Sequence, residues 1–139
     1  MRPPVHAFHA SHTLHTLHTL LAVAAAAGLV SAPARAEIVD IAWASDGTFE
    51  HRFEVKPGQF AEVCGKLDKG QAVRWRFESP QALHFNIHHH VGKDVVYPVQ
   101  QAGTAKSEGR LAVALDQDYC WMWSNKSTQP ATLQVRLAR

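Results

Sequence analysis

The sequence is poor in several features that would have pointed elsewhere. It has two cysteines, two methionines and eight glycines in 139 residues. Two cysteines are too few for a disulfide-dense scaffold or a four-cysteine zinc cluster. There is no glycine-rich phosphate loop, and no hydrolase motif surrounds a serine. No long apolar pattern of 3.6-residue period follows the N-terminal segment, which argues against a helical bundle. Charge of one sign is also missing. Lys+Arg number 14 against 12 Asp+Glu, and the two extra cations, Arg2 and Arg35, lie in the first 36 residues. The rest carries no net charge, so composition offers a nucleic acid no basic surface. With 19% charged and 46% hydrophobic residues, the chain is that of a folded domain rather than a disordered tail.

The first 36 residues have three zones. Arg2 and a histidine run come first, then an apolar stretch from Leu17 to Val30, then Ser31-Ala32-Pro33-Ala34-Arg35-Ala36. Ala34 and Ala36 are the small residues that signal peptidase requires, so residues 1–36 are read as a cleavable signal peptide with cleavage before Glu37. The apolar stretch is too short and too alanine-rich to span a bilayer comfortably, so no membrane span is expected once the signal is removed. The product is expected to be periplasmic or secreted. The repeat His12-Thr13-Leu14, His15-Thr16-Leu17, His18-Thr19-Leu20 would suit metal binding, but it belongs to the segment expected to be removed.

Residues 37–139 amount to one domain. Cys64 and Cys120 are its only cysteines, and in an oxidising compartment they are expected to form a disulfide. Such a bridge stabilises by roughly 4 kcal/mol through the entropy of the long loop it closes. Short alternating runs are separated by turn residues. Phe49, His51, Phe53 and Val55 share one face, as do Val73, Trp75 and Phe77, with Arg74 and Arg76 opposite. Leu83, Phe85 and Ile87 point one way, and His84, Asn86 and His88 the other. Tyr119, Trp121 and Trp123 share a face, with Cys120 and Met122 behind. Ser79-Pro80 is expected to break a strand, Pro98 to mark an edge, and Gln100 to Gly109 to form a loop. The pattern predicts an all-β fold: a two-sheet antiparallel β-sandwich of about eight strands.

The order of landmarks resembles the GOLD domain, the lumenal β-sandwich of the emp24/p24 cargo-trafficking proteins. The matching residues are Phe53-Glu54-Val55-Lys56-Pro57-Gly58, Cys64, Gly70, Val73-Arg74-Trp75-Arg76-Phe77 and Phe85-Asn86-Ile87. They continue through Asp118-Tyr119-Cys120-Trp121-Met122-Trp123-Ser124-Asn125-Lys126-Ser127 to Leu133-Gln134-Val135-Arg136-Leu137. The resemblance covers residues 49–137 and implies a jelly-roll-like sandwich, a Cys64–Cys120 bridge and a non-enzymatic binding role. No coiled coil, membrane span or cytoplasmic tail like those of the trafficking members is expected here, so the trafficking role is not carried over.

Chemistry concentrates in His84-Phe85-Asn86-Ile87-His88-His89-His90, which holds four of the five histidines that follow the signal. Imidazole is the commonest ligand for zinc, copper and nickel. On a strand, His88 and His90 are about 7 Å apart on one face and can chelate together, whereas His84 and His88 are about 13 Å apart. His89 falls on the core side. A third ligand must come from elsewhere, with Met122, His51 and Asp94 as candidates. A blue-copper site is excluded, because no histidine follows Cys120. Asn125-Lys126-Ser127 is a glycosylation sequon.

The sequence therefore predicts an exported binding protein, not an enzyme. Its partner would be a transition-metal ion, copper or zinc, held by His88 and His90, then His84 and His89, with Met122 as a soft ligand. The alternative is an interaction module that binds an envelope protein, with incidental histidines.

Overall fold

The computed structural model describes residues 36–139. The signal segment and its histidine repeat lie outside them. The described chain forms seven strands: β1 (Ala36–Asp40), β2 (Thr48–Val55), β3 (Phe60–Leu67), β4 (Ala72–Val91), β5 (Asp94–Ala112), β6 (Gln117–Ser124) and β7 (Ala131–Ala138). They form one sheet in the order β1-β3-β6-β4-β7-β2, with β5 on the free side of β4.

The long strand β4 joins two layers. Its first half pairs with β7, from Arg74↔Ala138 to Glu78↔Gln134, and its second half with β6, from His84↔Ser124 to His89↔Tyr119. The switch coincides with a register break between Glu78 and Leu83. Pro80, which has no N–H to donate, lies in that break, so a strand can bend there at little cost. The sheet curls until the inner faces of its halves meet. Trp75 and Phe77 from the first half of β4 pack on Phe85 from the second, with ring centroids 4.9 and 4.8 Å apart. Trp123 of β6 stacks on Phe85 at 5.4 Å. Phe53, Val63, Val73, Trp121, Leu133 and Leu137 complete a continuous buried core.

The sequence expectation of an all-β, sandwich-like fold with one disulfide holds, and Cys64 is bridged to Cys120. Three details are corrected. Among the described residues there are seven strands rather than about eight. The pairing is not wholly antiparallel, because β1 runs parallel to β3. Residues 100–109 are not a loop but the middle of β5. That segment lacks the usual β formers because β5 pairs only with β4 and keeps most of its side chains in solvent. Gly109 also has no side chain because the Trp75 indole occupies the space a Cβ would need.

Candidate functional site

The histidine cluster lies on the second half of β4, and alternation sorts its members. His84, Asn86, His88 and His90 point to the outer face of the β1-β3-β6-β4 layer, whereas His89 points inward with Phe85 and Ile87. The turn beyond fixes this register. Gly92-Lys93 is a two-residue hairpin turn, with Gly92 at φ 63° and no other positive φ beside it. That is the arrangement a first-position glycine supplies in a type II′ turn.

His88 is the most constrained member. It is 8% exposed, and in register it lies beside Cys120, which lies beside Cys64. The neighbouring row runs Glu62, Met122, Asn86 across the same three strands. Asn86 Oδ1 lies 2.9 Å from His88 Nδ1. Glu62 of β3 leans across the row, and its Oε1 lies 3.2 Å from His88 Nε2. Glu62 is itself only 7% exposed. An amide oxygen can only accept, so the contact with Asn86 places a proton on Nδ1. Nε2 then faces a carboxylate oxygen, and two lone pairs at that distance need a cation between them, either a proton or a metal ion.

The other sequence candidates divide clearly. His90 is exposed, with its ring centroid 5.6 Å from that of His88. Met122 is half-buried on the same outer face, between Glu62 and Asn86 in register. His84 is exposed beside Ser124, at the far end of the row of outward side chains. His89 is 4% exposed and packs on Tyr119 at 4.7 Å, so it serves the core side of the sheet. His51 lies on β2 in the other layer, between Phe49 and Phe53, and Asp94 opens β5 opposite Val91. Neither extends the outer patch around His88.

Sequence reasoning missed Glu62 and Asn86 as parts of the site. Strand alternation puts Asn86 on the correct face without assigning it a role. Glu62 was findable in principle. Once Cys64 is bridged to Cys120 in an antiparallel pair, Glu62 must fall beside Met122 on the face that carries the bridge. The Glu62 carboxylate and the two cysteine Sγ atoms lie within 4.8 Å of one another.

A bulge brings an aromatic ring to the same place. Between Ile87↔Val99 and His89↔Val96, β5 carries an extra residue at Tyr97-Pro98, and the Tyr97 ring centroid lies 5.9 Å from that of His88. Tyr97 with Val91, Val95 and Val96 forms an exposed apolar tip beside the patch. Elsewhere, a cleft of about 780 Å³ on the outer face of the other layer is lined by Arg74, Arg76, Arg110, Arg136 and Arg139, with Asp46 and Glu108. It includes none of the clustered histidines.

The sequon is structural. Asn125 is fully buried, and its Nδ2 donates to Val55 O at 2.8 Å and Gln129 O at 2.7 Å, while its Oδ1 accepts from Ser127. A glycan on that nitrogen would replace one of its two hydrogens and so remove at least one of these bonds to the backbone.

No protein-family model and no curated protein matches this chain. Solved structures do resemble it. The Aeromonas hydrophila PliG, a periplasmic lysozyme inhibitor of g-type lysozyme, superposes with a TM-score of 0.57 at 12% identity, covering 74% of this chain and 97% of that one. The pre-peptidase C-terminal domain of collagenase from Bacillus anthracis gives 0.54 at 10% identity, covering 77% and 98%. The Salmonella Typhimurium PliG gives 0.51 at 8% identity, covering 73% and 96%. At these identities the likeness establishes a shared β-sandwich-like fold.

Proposed function

We propose that the protein is an exported, non-enzymatic binding protein whose ligand is a transition-metal ion, zinc or copper. The ion is held on the outer face by His88 and Glu62, with His90 and Met122 as further donors. The observation that carries this reading is the 3.2 Å separation of His88 Nε2 and Glu62 Oε1. Two donors ~2.1 Å from one tetrahedral ion lie ~3.4 Å apart, so the pair is close to the bite of a chelate. Asn86 orients the imidazole through its other nitrogen, as the outer partners of metal-binding histidines commonly do. His84 and His89 are left out of this ligand set, one by distance along the strand and one by facing the core. The disulfide suits an oxidising compartment and thus supports export.

The test is thermal unfolding of residues 37–139, without a histidine tag, with and without Zn(II) or Cu(II). At ~100 µM metal and micromolar affinity, native-state binding stabilises by about 2.7 kcal/mol. For a domain of this size that raises Tm by roughly 10 °C. His88→Ala with His90→Ala is expected to abolish the shift, and His51→Ala, in the other layer, to retain it. Because protons and a metal ion compete for the imidazole nitrogens, acidification should weaken the shift. No shift with either ion in folded, bridged protein would refute the reading.

A second reading is favoured by the exposed apolar tip of Val91, Val95, Val96 and Tyr97. In it the domain is a GOLD-like interaction module that docks an envelope protein there. It predicts no metal response, and loss of partner capture on Val95→Lys with Val96→Lys.

A further inference from the structure

We infer that the Cys64–Cys120 bridge is a redox gate on a second, tighter metal site, in which the two cysteine thiolates join His88 and Glu62 around one zinc ion. The inference rests on the metal reading of the Glu62–His88 pair and adds its regulation. Cys64, Cys120 and His88 are directly aligned residues on three adjacent strands, all on the outer face. The Glu62 carboxylate reaches His88 at 3.2 Å and lies within 4.8 Å of both sulfurs. Two cysteines, one histidine and one carboxylate make a complete tetrahedral donor set for zinc. Among the described residues, the only group of three or more Cys, His, Asp or Glu donors this close together is Glu62 with the two cysteines. His88 lies outside that group and joins it through its contact with Glu62, so its ring must move toward the sulfurs to complete the set.

In the bridged state each sulfur is bonded to the other and is a poor ligand. Reduction by a dithiol transfers two electrons. The S–S bond breaks, the reductant becomes a disulfide, and Cys64 and Cys120 become thiols. Zinc then displaces one proton from each thiol as the two Zn–S bonds form. The geometry survives the step because the bridge is not what aligns the strands. An eight-pair antiparallel ladder, from Phe60↔Ser124 to Leu67↔Gln117, holds β3 against β6. The two Cα atoms are 4.1 Å apart. Thiolates on one zinc are separated by ~3.8 Å, which side-chain rotation alone can supply. Both cysteines are half-buried at the surface, within reach of a reductant.

The experiment compares bridged and phosphine-reduced protein, probed with Zn(II) and with Co(II) as its spectroscopic substitute. The reduced protein is expected to show a near-ultraviolet thiolate-to-cobalt charge-transfer band. It should also bind zinc tighter than the bridged form by about a hundredfold or more. Cys64→Ser with Cys120→Ser should bind no better than the bridged protein. Glu62→Gln and His88→Ala should each weaken zinc binding in the reduced state. Full affinity in both of those variants would mean that the cysteines bind alone, and would overturn the assignment. Reduced protein with no thiolate band would overturn it too, while metal stabilisation of the bridged protein in the same series judges the underlying site separately. Should reduction unfold the domain, zinc must restore its near-ultraviolet circular dichroism, and failure to do so overturns the inference.

Discussion

Replacing Gly109 by alanine tests the feature of the fold that the sequence concealed. Gly109 is paired with Trp75 across β4 and β5, and a Cβ there would lie 2.5 Å from one indole carbon and 2.9 Å from another. Carbon contacts are favourable at about 3.5–4.0 Å, so the ring or the strand must move by ~1 Å. The ring has little freedom. Trp75 is 5% exposed and packs on Phe77 and Phe85. Forcing a methyl into such a core costs about 1–3 kcal/mol. Against this, alanine in a strand gains roughly 0.5–1 kcal/mol over glycine from reduced backbone entropy. Overpacking wins, and the expected net loss is about 1–2 kcal/mol, or a fall in Tm of roughly 4–10 °C. Urea denaturation should show a lower midpoint at unchanged slope. Gly65→Ala is the control. Its Cβ would meet Cβ and Cδ1 of Ile41 at 3.1 Å, a milder overlap that a shift of a few tenths of an ångström relieves. A Gly109→Ala protein as stable as the parent would refute both the placement of Trp75 over Gly109 and the register of β5.

Three further outcomes are expected. Asn125→Ala strands two backbone carbonyls and removes the acceptor for Ser127, so chemical denaturation should show a loss of about 3 kcal/mol, while a loss under ~1 kcal/mol would mean water replaces the amide freely. Cys64→Ala with Cys120→Ala opens a loop of sequence separation 56, and equilibrium unfolding should report a loss of roughly 4 kcal/mol. The hydroxyl and then the amide of Thr48 donate to Asp46 Oδ1 and hold that carboxyl below the usual carboxylate range. A lowered folded-state pKa gives stability that is present above the unfolded value of 3.8 and lost as pH falls through the folded one. The stability difference between the parent and Asp46→Asn should therefore narrow in acid, and a difference constant from pH 7 to pH 2 would count against the contact.

Much of the site was legible because strand alternation is a local property. Placing His88 and His90 on one face and His89 on the other required only that β4 be extended, and the same holds for Cys120 and Met122 opposite Tyr119, Trp121 and Trp123. The Cys64–Cys120 bridge followed from there being two cysteines in a chain expected to be exported. The strand 100–109 was hidden for a physical reason. An edge strand with a solvated face needs few β formers, and its glycine is explained by a tryptophan 34 residues earlier in the sequence.

Taken alone, the sequence determined which side chains share a face, that the fold is all-β, and that the histidines are dense enough to act together. Those are properties of neighbours along the chain. The tertiary structure decided that β6 lies between β3 and β4, and that order brings Glu62 to His88 and Cys64 into line with Cys120 and His88. It also decided that β4 bends and exchanges partners, placing His51 in a different layer from the histidine cluster. Strand order is set by how two sheet halves bury one aromatic core, a condition on the whole chain that no local run of residues encodes.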